Sequence, residues 1–271
     1  LEGLELRYDE DLRGVPEKLT WTRDAKGKRL YPRFEYAGGQ SRESTNLILT
    51  IDSRIQHLVE SQLKEAVKAK GAKGGLAIVM DPKTGEILAL ANEMSFDPNT
   101  FATSGAARSK NKVITDCFDP GSTFKPFLAA AALEEGVVKE TDRFYCENGH
   151  YVVADRVIHE AQRKRHGHLT FPDIIKYSSN IGSVKVSERL GKEKFYQYIT
   201  KFGFGAKTGI DLPGEIAGLL RPVHNWTRVD ASTIAFGQGI SVTAIQLITA
   251  LSAIANQGVL MKPYIVRGLV D

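Results

Sequence analysis

What this 271-residue chain has little of narrows its reading first. It holds two cysteines, Cys117 and Cys146, with neither a CxxC spacing nor a zinc-ribbon pattern, which excludes a disulfide-stapled or zinc-built scaffold. Cys146 with His150 is too sparse a pair for a metal site, and whether the two thiols join is a question of geometry that spacing cannot answer. No stretch approaches the roughly 18 apolar residues that mark a membrane-spanning helix. No secretory leader is legible in the given residues, which open mid-pattern at Leu1-Glu2-Gly3-Leu4-Glu5. Charge of one sign is also scarce: 36 basic against 32 acidic residues leave +4, short of a nucleic-acid footprint. Only Arg163-Lys164-Arg165, followed by His166, runs together, and that reads as a solvated loop able at most to steer an anionic partner.

What is present is a core. The chain is 42% hydrophobic, enough for one large domain or one domain with an appendage. Residues 1–45 are polar and irregular apart from pieces such as Leu30 to Phe34, and read as an appendage or the stub of a further domain. From residue 46 onward the pattern is regular. Leu47 to Leu49 is a short strand, and Thr50 or Asp52 can cap the helix that Ile55, Leu58, Val59, Leu63, Ala66 and Val67 trace before Lys70-Gly71. Leu76 to Met80 and Glu86 to Ala91 form a hairpin about the turn Asp81-Pro82-Lys83-Thr84-Gly85, the one convincing sheet pair. Short strands are expected at Phe144 to Cys146 and Tyr151 to Val153. Helices are expected from Thr170, over Gly182 to Leu190, Glu193 to Phe202, and Thr243 to Ala255. Helices against an antiparallel hairpin make an α+β layer.

Chemistry concentrates in two places. In Phe118 to Pro126, Ser122 and Lys125 stand three apart and enter the alanine-rich run Phe127 to Leu133, so both fall on one face of a first helical turn. A serine near a helix N-terminus meets free N–H groups and a dipole that favour negative charge. A lysine one turn on can take its proton if burial lowers the amine pKa. Ser178-Ser179-Asn180 lies between two expected helices, where Ser178 can relay a proton and Asn180 can anchor a substrate carbonyl. Either stretch alone also reads as ordinary capping or turn residues; the pair, in this order, points to a serine acyl-transfer site.

Serine-x-x-lysine with serine-x-asparagine is shared by penicillin-binding proteins and serine β-lactamases. Beyond these motifs the chain resembles a class B penicillin-binding protein, a monofunctional peptidoglycan D,D-transpeptidase. The matching stretches are Gly3-Leu4-Glu5 with Leu12-Arg13-Gly14, Leu49 to Asp52, Met80 to Ala89, Pro120 to Lys125, Ser178 to Asn180, Thr208 to Glu215, and Ala235-Phe236-Gly237-Gln238-Gly239 with Gln246-Leu247. The last of these, with Asn225-Trp226-Thr227, is more similar to the division subgroup than to the elongation subgroup.

The resemblance implies a transpeptidase fold over residues 46–271 behind the stub of a non-catalytic pedestal at 1–45. It implies Ser122 as nucleophile, Lys125 as base, Ser178 and Asn180 as relay and anchor, and no metal or organic cofactor. Peptidoglycan stem peptides and β-lactams would be the ligands, with cell-division membrane proteins as further partners and no nucleic acid. The protein would be held by an N-terminal anchor on the extracytoplasmic face of the bacterial inner membrane. One departure stands out. The family's third motif is a Lys-Thr-Gly on an edge strand, yet Lys83-Thr84-Gly85 precedes Ser122 and Lys207-Thr208-Gly209 runs into Ile-Asp-Leu-Pro-Gly, poor strand material. Both are read as decoys, with the true triplet and further strands expected beyond Asp271 and poor activity expected of these residues alone. Two rivals stay open at this point: a class D-like β-lactamase or β-lactam sensor, and a non-catalytic fragment that binds division partners.

Overall fold

The helix Ser53–Lys70 organises one half of the molecule. Asp52 starts it by accepting the N–H groups of Arg54 (2.8 Å) and Ile55 (3.1 Å), and Gly71 stops it at φ 58°, where a left-handed C-cap suits glycine. Of its expected apolar stripe, Ile55, Val59, Leu63 and Val67 are half-buried, while Leu58 and Ala66 stay exposed. The computed structural model describes residues 3–13, 17–36, 45–93 and 110–270.

This helix covers an antiparallel hairpin, Gly75–Met80 with Ile87–Glu93, paired from Gly75 opposite Glu93 to Met80 opposite Ile87. The hairpin is not the only sheet element. Asn46–Leu49 pairs antiparallel with Val266–Val270, a strand that local pattern does not announce because its partner lies at the other end of the chain. Thr50 joins the two pairs. Its N–H donates to the Ile265 carbonyl (2.7 Å) and its buried hydroxyl donates to the Ile87 carbonyl (2.7 Å), beside a bridge between Glu86 and Tyr264.

Two apolar cores follow. One gathers Met80, Ile87, Ile114, Ile210, Leu212, Ile245 and Ile265, and Leu4 packs half-buried against it. Leu4, within the segment 1–45 read as a stub, thus touches the body. The larger core is built on Phe124, Phe127, Phe195 and Phe204, with Phe124 5.4 Å from Phe127 and 5.1 Å from Phe204 between ring centroids. Such edge-on and tilted aromatic pairs fix side-chain positions tightly. Helices Lys125–Glu134, Asn180–Leu190, Lys192–Lys201 and Ala244–Ala255 carry most of the rest. The second begins at Asn180 rather than Gly182, because the Ser179 hydroxyl accepts the Gly182 N–H (2.9 Å) and caps it two residues earlier than expected. No helix among the described residues is long and apolar enough to cross a membrane.

Thr50 gives a test of this joint. Thr50→Val keeps the shape but leaves the Ile87 carbonyl without its buried donor, so it is expected to cost about 1 kcal/mol. Thermal melts should show the midpoint falling by about 2–4 °C.

Candidate active site

Ser122 sits in a single 3-10 turn, Gly121–Phe124, that runs directly into the helix Lys125–Glu134 with Pro126 in its first turn. Proline there costs no hydrogen bond and presets the helical φ. The turn rests on a backbone contact: the Gly121 N–H donates to the Gly237 carbonyl (2.9 Å). Gly237 lies at φ 76°, and a Cβ on it would stand 2.1 Å from the Gly121 oxygen. The Ala235 to Gly239 stretch is therefore the floor beneath the nucleophile turn, and only glycine fits there. Phe124, fully buried, pins the turn into the aromatic core, while Ser122 itself is exposed.

Lys125 points the other way from an exposed lysine: it is 1% exposed. Its Nζ lies within hydrogen-bond reach of four oxygens, Ser122 Oγ (3.2 Å), the Ser178 carbonyl (2.6 Å), Ser178 Oγ (2.9 Å) and Asn180 Oδ1 (2.9 Å). An ammonium has three N–H groups, so four acceptors cannot all be served at once. The longest contact is to Ser122. A neutral amine, with two N–H groups and one lone pair, also serves three partners at a time; one such arrangement donates to the Ser178 carbonyl and Asn180 Oδ1 while the lone pair accepts the Ser122 O–H. Burial pushes the Lys125 pKa down to about 8, against the opposing pull of the Glu160 carboxylate. A buried cation loses hydration, which favours its neutral form.

Ser178 reaches the amine from a strained backbone. It stands at φ 57°, a left-handed conformation that costs a non-glycine residue on the order of 1 kcal/mol or more. The strain lets one residue aim both its carbonyl and its hydroxyl at the same nitrogen. The Asn180 amide is divided similarly, its oxygen on Lys125 and one N–H on the His159 carbonyl (3.0 Å). The structure thus brings Ser122, Lys125, Ser178 and Asn180 around one amine.

Sequence reasoning missed Glu160. Its carboxylate is 4% exposed and accepts the Ser179 hydroxyl (2.5 Å) and the Asn180 N–H (2.6 Å). A lone glutamate just ahead of a basic run carries no local signal of such a role. Cys146, buried, lies 3.5 Å below Ser179 Oγ, and both cysteines are free thiols.

The two Lys-Thr-Gly triplets lie elsewhere. Lys83-Thr84-Gly85 is the hairpin turn, closed by the Gly85 N–H on the Asp81 carbonyl (2.9 Å). In Lys207-Thr208-Gly209 the buried Glu215 carboxylate accepts the Thr208 N–H (2.7 Å), the Thr208 hydroxyl (2.6 Å) and the Gly209 N–H (3.0 Å). With its N–H groups consumed locally the triplet is a loop, and Lys207 lines a small cavity with Phe202, Gln246, Thr249 and Lys262.

An α+β body in which a serine-x-x-lysine helix and a serine-x-asparagine turn share one buried amine is that of the penicillin-recognising serine proteins. Residues 75–271 match the penicillin binding protein transpeptidase domain. The chain is 40% identical over 273 residues to stage V sporulation protein D of Bacillus subtilis, covering 100% of this chain and 42% of that protein. It is 32% identical over 263 residues to the peptidoglycan D,D-transpeptidase FtsI of Escherichia coli, covering 96% and 43%. Among solved structures, penicillin binding protein 3 of Mycobacterium tuberculosis superposes with a TM-score of 0.81 at 31% identity, covering 93% of this chain and 59% of that one. The chain belongs to the penicillin-binding protein transpeptidase family. Within it, these relatives support the class B type. It spans about two fifths of the length of these two curated relatives.

Gly237→Ala tests the floor of the site. It forces an alanine into a left-handed conformation and onto the Gly121 backbone, so a loss of at least ~2 kcal/mol is expected. Denaturant titration should show it; a midpoint equal to that of the parent would mean the Gly121–Gly237 contact is dispensable.

Proposed function

We propose that the whole protein bearing this chain is a peptidoglycan D,D-transpeptidase with Ser122 as nucleophile. In this reading it works in cell division, held by an N-terminal anchor at the extracytoplasmic face of the inner membrane. The observation that carries the chemistry is the Lys125 amine shared between Ser122, Ser178 and Asn180. The division assignment draws on the Asn225 to Thr227 and Ala235 to Gly239 stretches.

The steps follow from the geometry. Neutral Lys125 takes the Ser122 proton as Oγ attacks the penultimate D-alanine carbonyl of a stem peptide. The Ser122 N–H, in the first turn of its segment, is one donor to the developing oxyanion. A second donor is assigned to the family's Lys-Thr-Gly strand, which neither triplet of these residues supplies. As the carbon–nitrogen bond breaks, Ser178 Oγ passes the proton from Lys125 to the departing D-alanine amine. An amine from a neighbouring stem then attacks the acyl-enzyme and regenerates the Ser122 hydroxyl. Asn180 holds the substrate carbonyl through its uncommitted N–H. A β-lactam acylates Ser122 in the same way and leaves slowly.

Mass spectrometry of the penicillin-treated whole protein should place a long-lived adduct on the peptide containing Pro120 to Lys125, absent in Ser122→Ala. An adduct on Ser178 or Cys146 overturns the assignment, and rapid turnover of the adduct makes the protein a β-lactamase instead.

The base is tested by pH. Because the neutral amine is the reactive form, acylation by a labelled penicillin should rise with pH through a midpoint near the Lys125 value of about 8 and level off above it. Lys125→Arg should cut the rate by at least about a hundredfold, since guanidinium keeps its proton. Lys207→Ala should stay within about twofold of the parent, and an equal loss in both variants would return Lys207 to the active site.

A further inference from the structure

Among the described residues, Glu160 is the buried carboxylate beside the site that the chemistry above leaves unused. It follows His159, the last residue of the strand Arg156–His159, so its backbone is fixed by the hairpin that strand makes with His150–Val153. The His159 carbonyl already holds the Asn180 side chain (3.0 Å). The next residue then turns its carboxylate under the Ser178 to Asn180 turn and takes both available donors, Ser179 Oγ (2.5 Å) and the Asn180 N–H (2.6 Å). A carboxylate that is 4% exposed is costly to bury and persists only where its partners are good. These two contacts flank the strained Ser178 on its C-terminal side, at the start of the helix Asn180–Leu190, where negative charge is also favoured by the helix dipole.

Resting on the functional reading above, we propose that Glu160 is a positioning residue of this site: it clamps the Ser178–Asn180 turn against Lys125 and sets, through its charge, how readily the amine gives up its proton. The mechanical part follows from the hydrogen bonds. The preceding helix already holds Ser178 left-handed through the Ser178 N–H on the Ile175 carbonyl (3.1 Å) and the Ser179 N–H on the Ile174 carbonyl (2.9 Å); the two Glu160 contacts fix the other side of the turn and so keep the Ser178 carbonyl and hydroxyl on the amine. The electrostatic part follows from sign. Burial drives Lys125 toward its neutral form, and the Glu160 charge pulls it back toward the ammonium. Glu160 therefore gives up some of the neutral amine population at low pH in exchange for a fixed turn.

Other ionisable groups of the described residues lie around the pair. Cys146 lies beneath Ser179, and burial raises its pKa, so it adds no charge near neutrality. Behind it the Lys185–Glu147 ion pair (2.5 Å) offsets its own charges. His159 turns its ring onto His150 at 5.0 Å, and from the preceding helix Tyr177 stacks on His166 at 5.9 Å.

The test is a pair of charge-distinguishing variants of the whole protein, each followed in two ways. One readout is the pH profile of acylation by a labelled penicillin; the other is the titration of the Lys125 side chain by NMR in lysine-labelled protein, which needs no activity. Glu160→Gln removes the charge but can still accept the Asn180 N–H. Its Lys125 titration and acylation midpoint should both move to lower pH, by on the order of one unit, with the plateau rate within about tenfold of the parent. Glu160→Asp keeps the charge on a shorter arm, so its midpoint should stay while its plateau falls about tenfold or more. An unshifted Lys125 titration in Glu160→Gln, or a uniform loss with the midpoint unmoved, overturns the proposal. Should Glu160→Gln fail to fold, Glu160→Asp decides alone: a plateau equal to the parent overturns it. If the parent itself is not acylated, the transpeptidase reading fails, while the NMR titration still judges Glu160.

Discussion

The structure depends on one buried nitrogen. A lysine amine with almost no contact with water must either find acceptors for every proton or lose one. Lys125 does some of each. Four oxygens from three residues crowd it, more than an ammonium can serve, and its pKa is lowered toward the pH at which the neutral amine is useful. The nucleophile turn, the serine–asparagine turn and the hairpin that ends at His159 meet at this nitrogen. The Lys125 nitrogen and the Ser122 oxygen stand 3.2 Å apart, and the amine is already oriented by its other partners.

Holding such a site requires rigidity from both sides. On one side the turn bearing Ser122 is fixed by Phe124 in the aromatic core and by the Gly121–Gly237 backbone contact. On the other, Ser178 is kept in a left-handed conformation that its own backbone disfavours. Its neighbours hold it there: the backbone bonds of Ser178 and Ser179 to the Ile175 and Ile174 carbonyls, the Ser179 cap, the Glu160 contacts and the interactions with Lys125 itself. Strain at a functional residue persists only when its surroundings over-determine it, and here the surroundings are two elements that are adjacent in space but separate in sequence.

How much of this is legible beforehand divides along the same line. The spacing of Ser122 and Lys125 fixes their shared face because three residues make nearly one helical turn. Local caps are also legible: Asp52 and Thr170 stand where the residue types place them. Long-range relations are not. The strand Val266–Val270 is anonymous until it meets Asn46–Leu49, and Glu160 looks like any polar residue until the hairpin delivers it beneath Ser179. The helix start at Asn180 is hidden for the same reason, since Ser179 resembles a turn serine and caps only once the preceding helix has placed it.

The Lys-Thr-Gly triplets carry the point furthest. Identical letters occur twice, and in both cases the backbone has other duties. In the hairpin turn, the glycine at φ 84° packs so closely on the Lys262 carbonyl that a Cβ would stand 2.3 Å from it. In the second triplet, Glu215 takes two backbone N–H groups and a hydroxyl. A strand that binds substrate along its edge must keep those N–H groups free for pairing, so a carboxylate that consumes them converts the motif into a structural loop. The buried acid distinguishes a motif that can line a site from one that only shares its spelling. Glu215 and Glu160 therefore act by one physical rule in two places: each is a desolvated carboxylate that ties up backbone donors and thereby decides what the neighbouring residues are free to do.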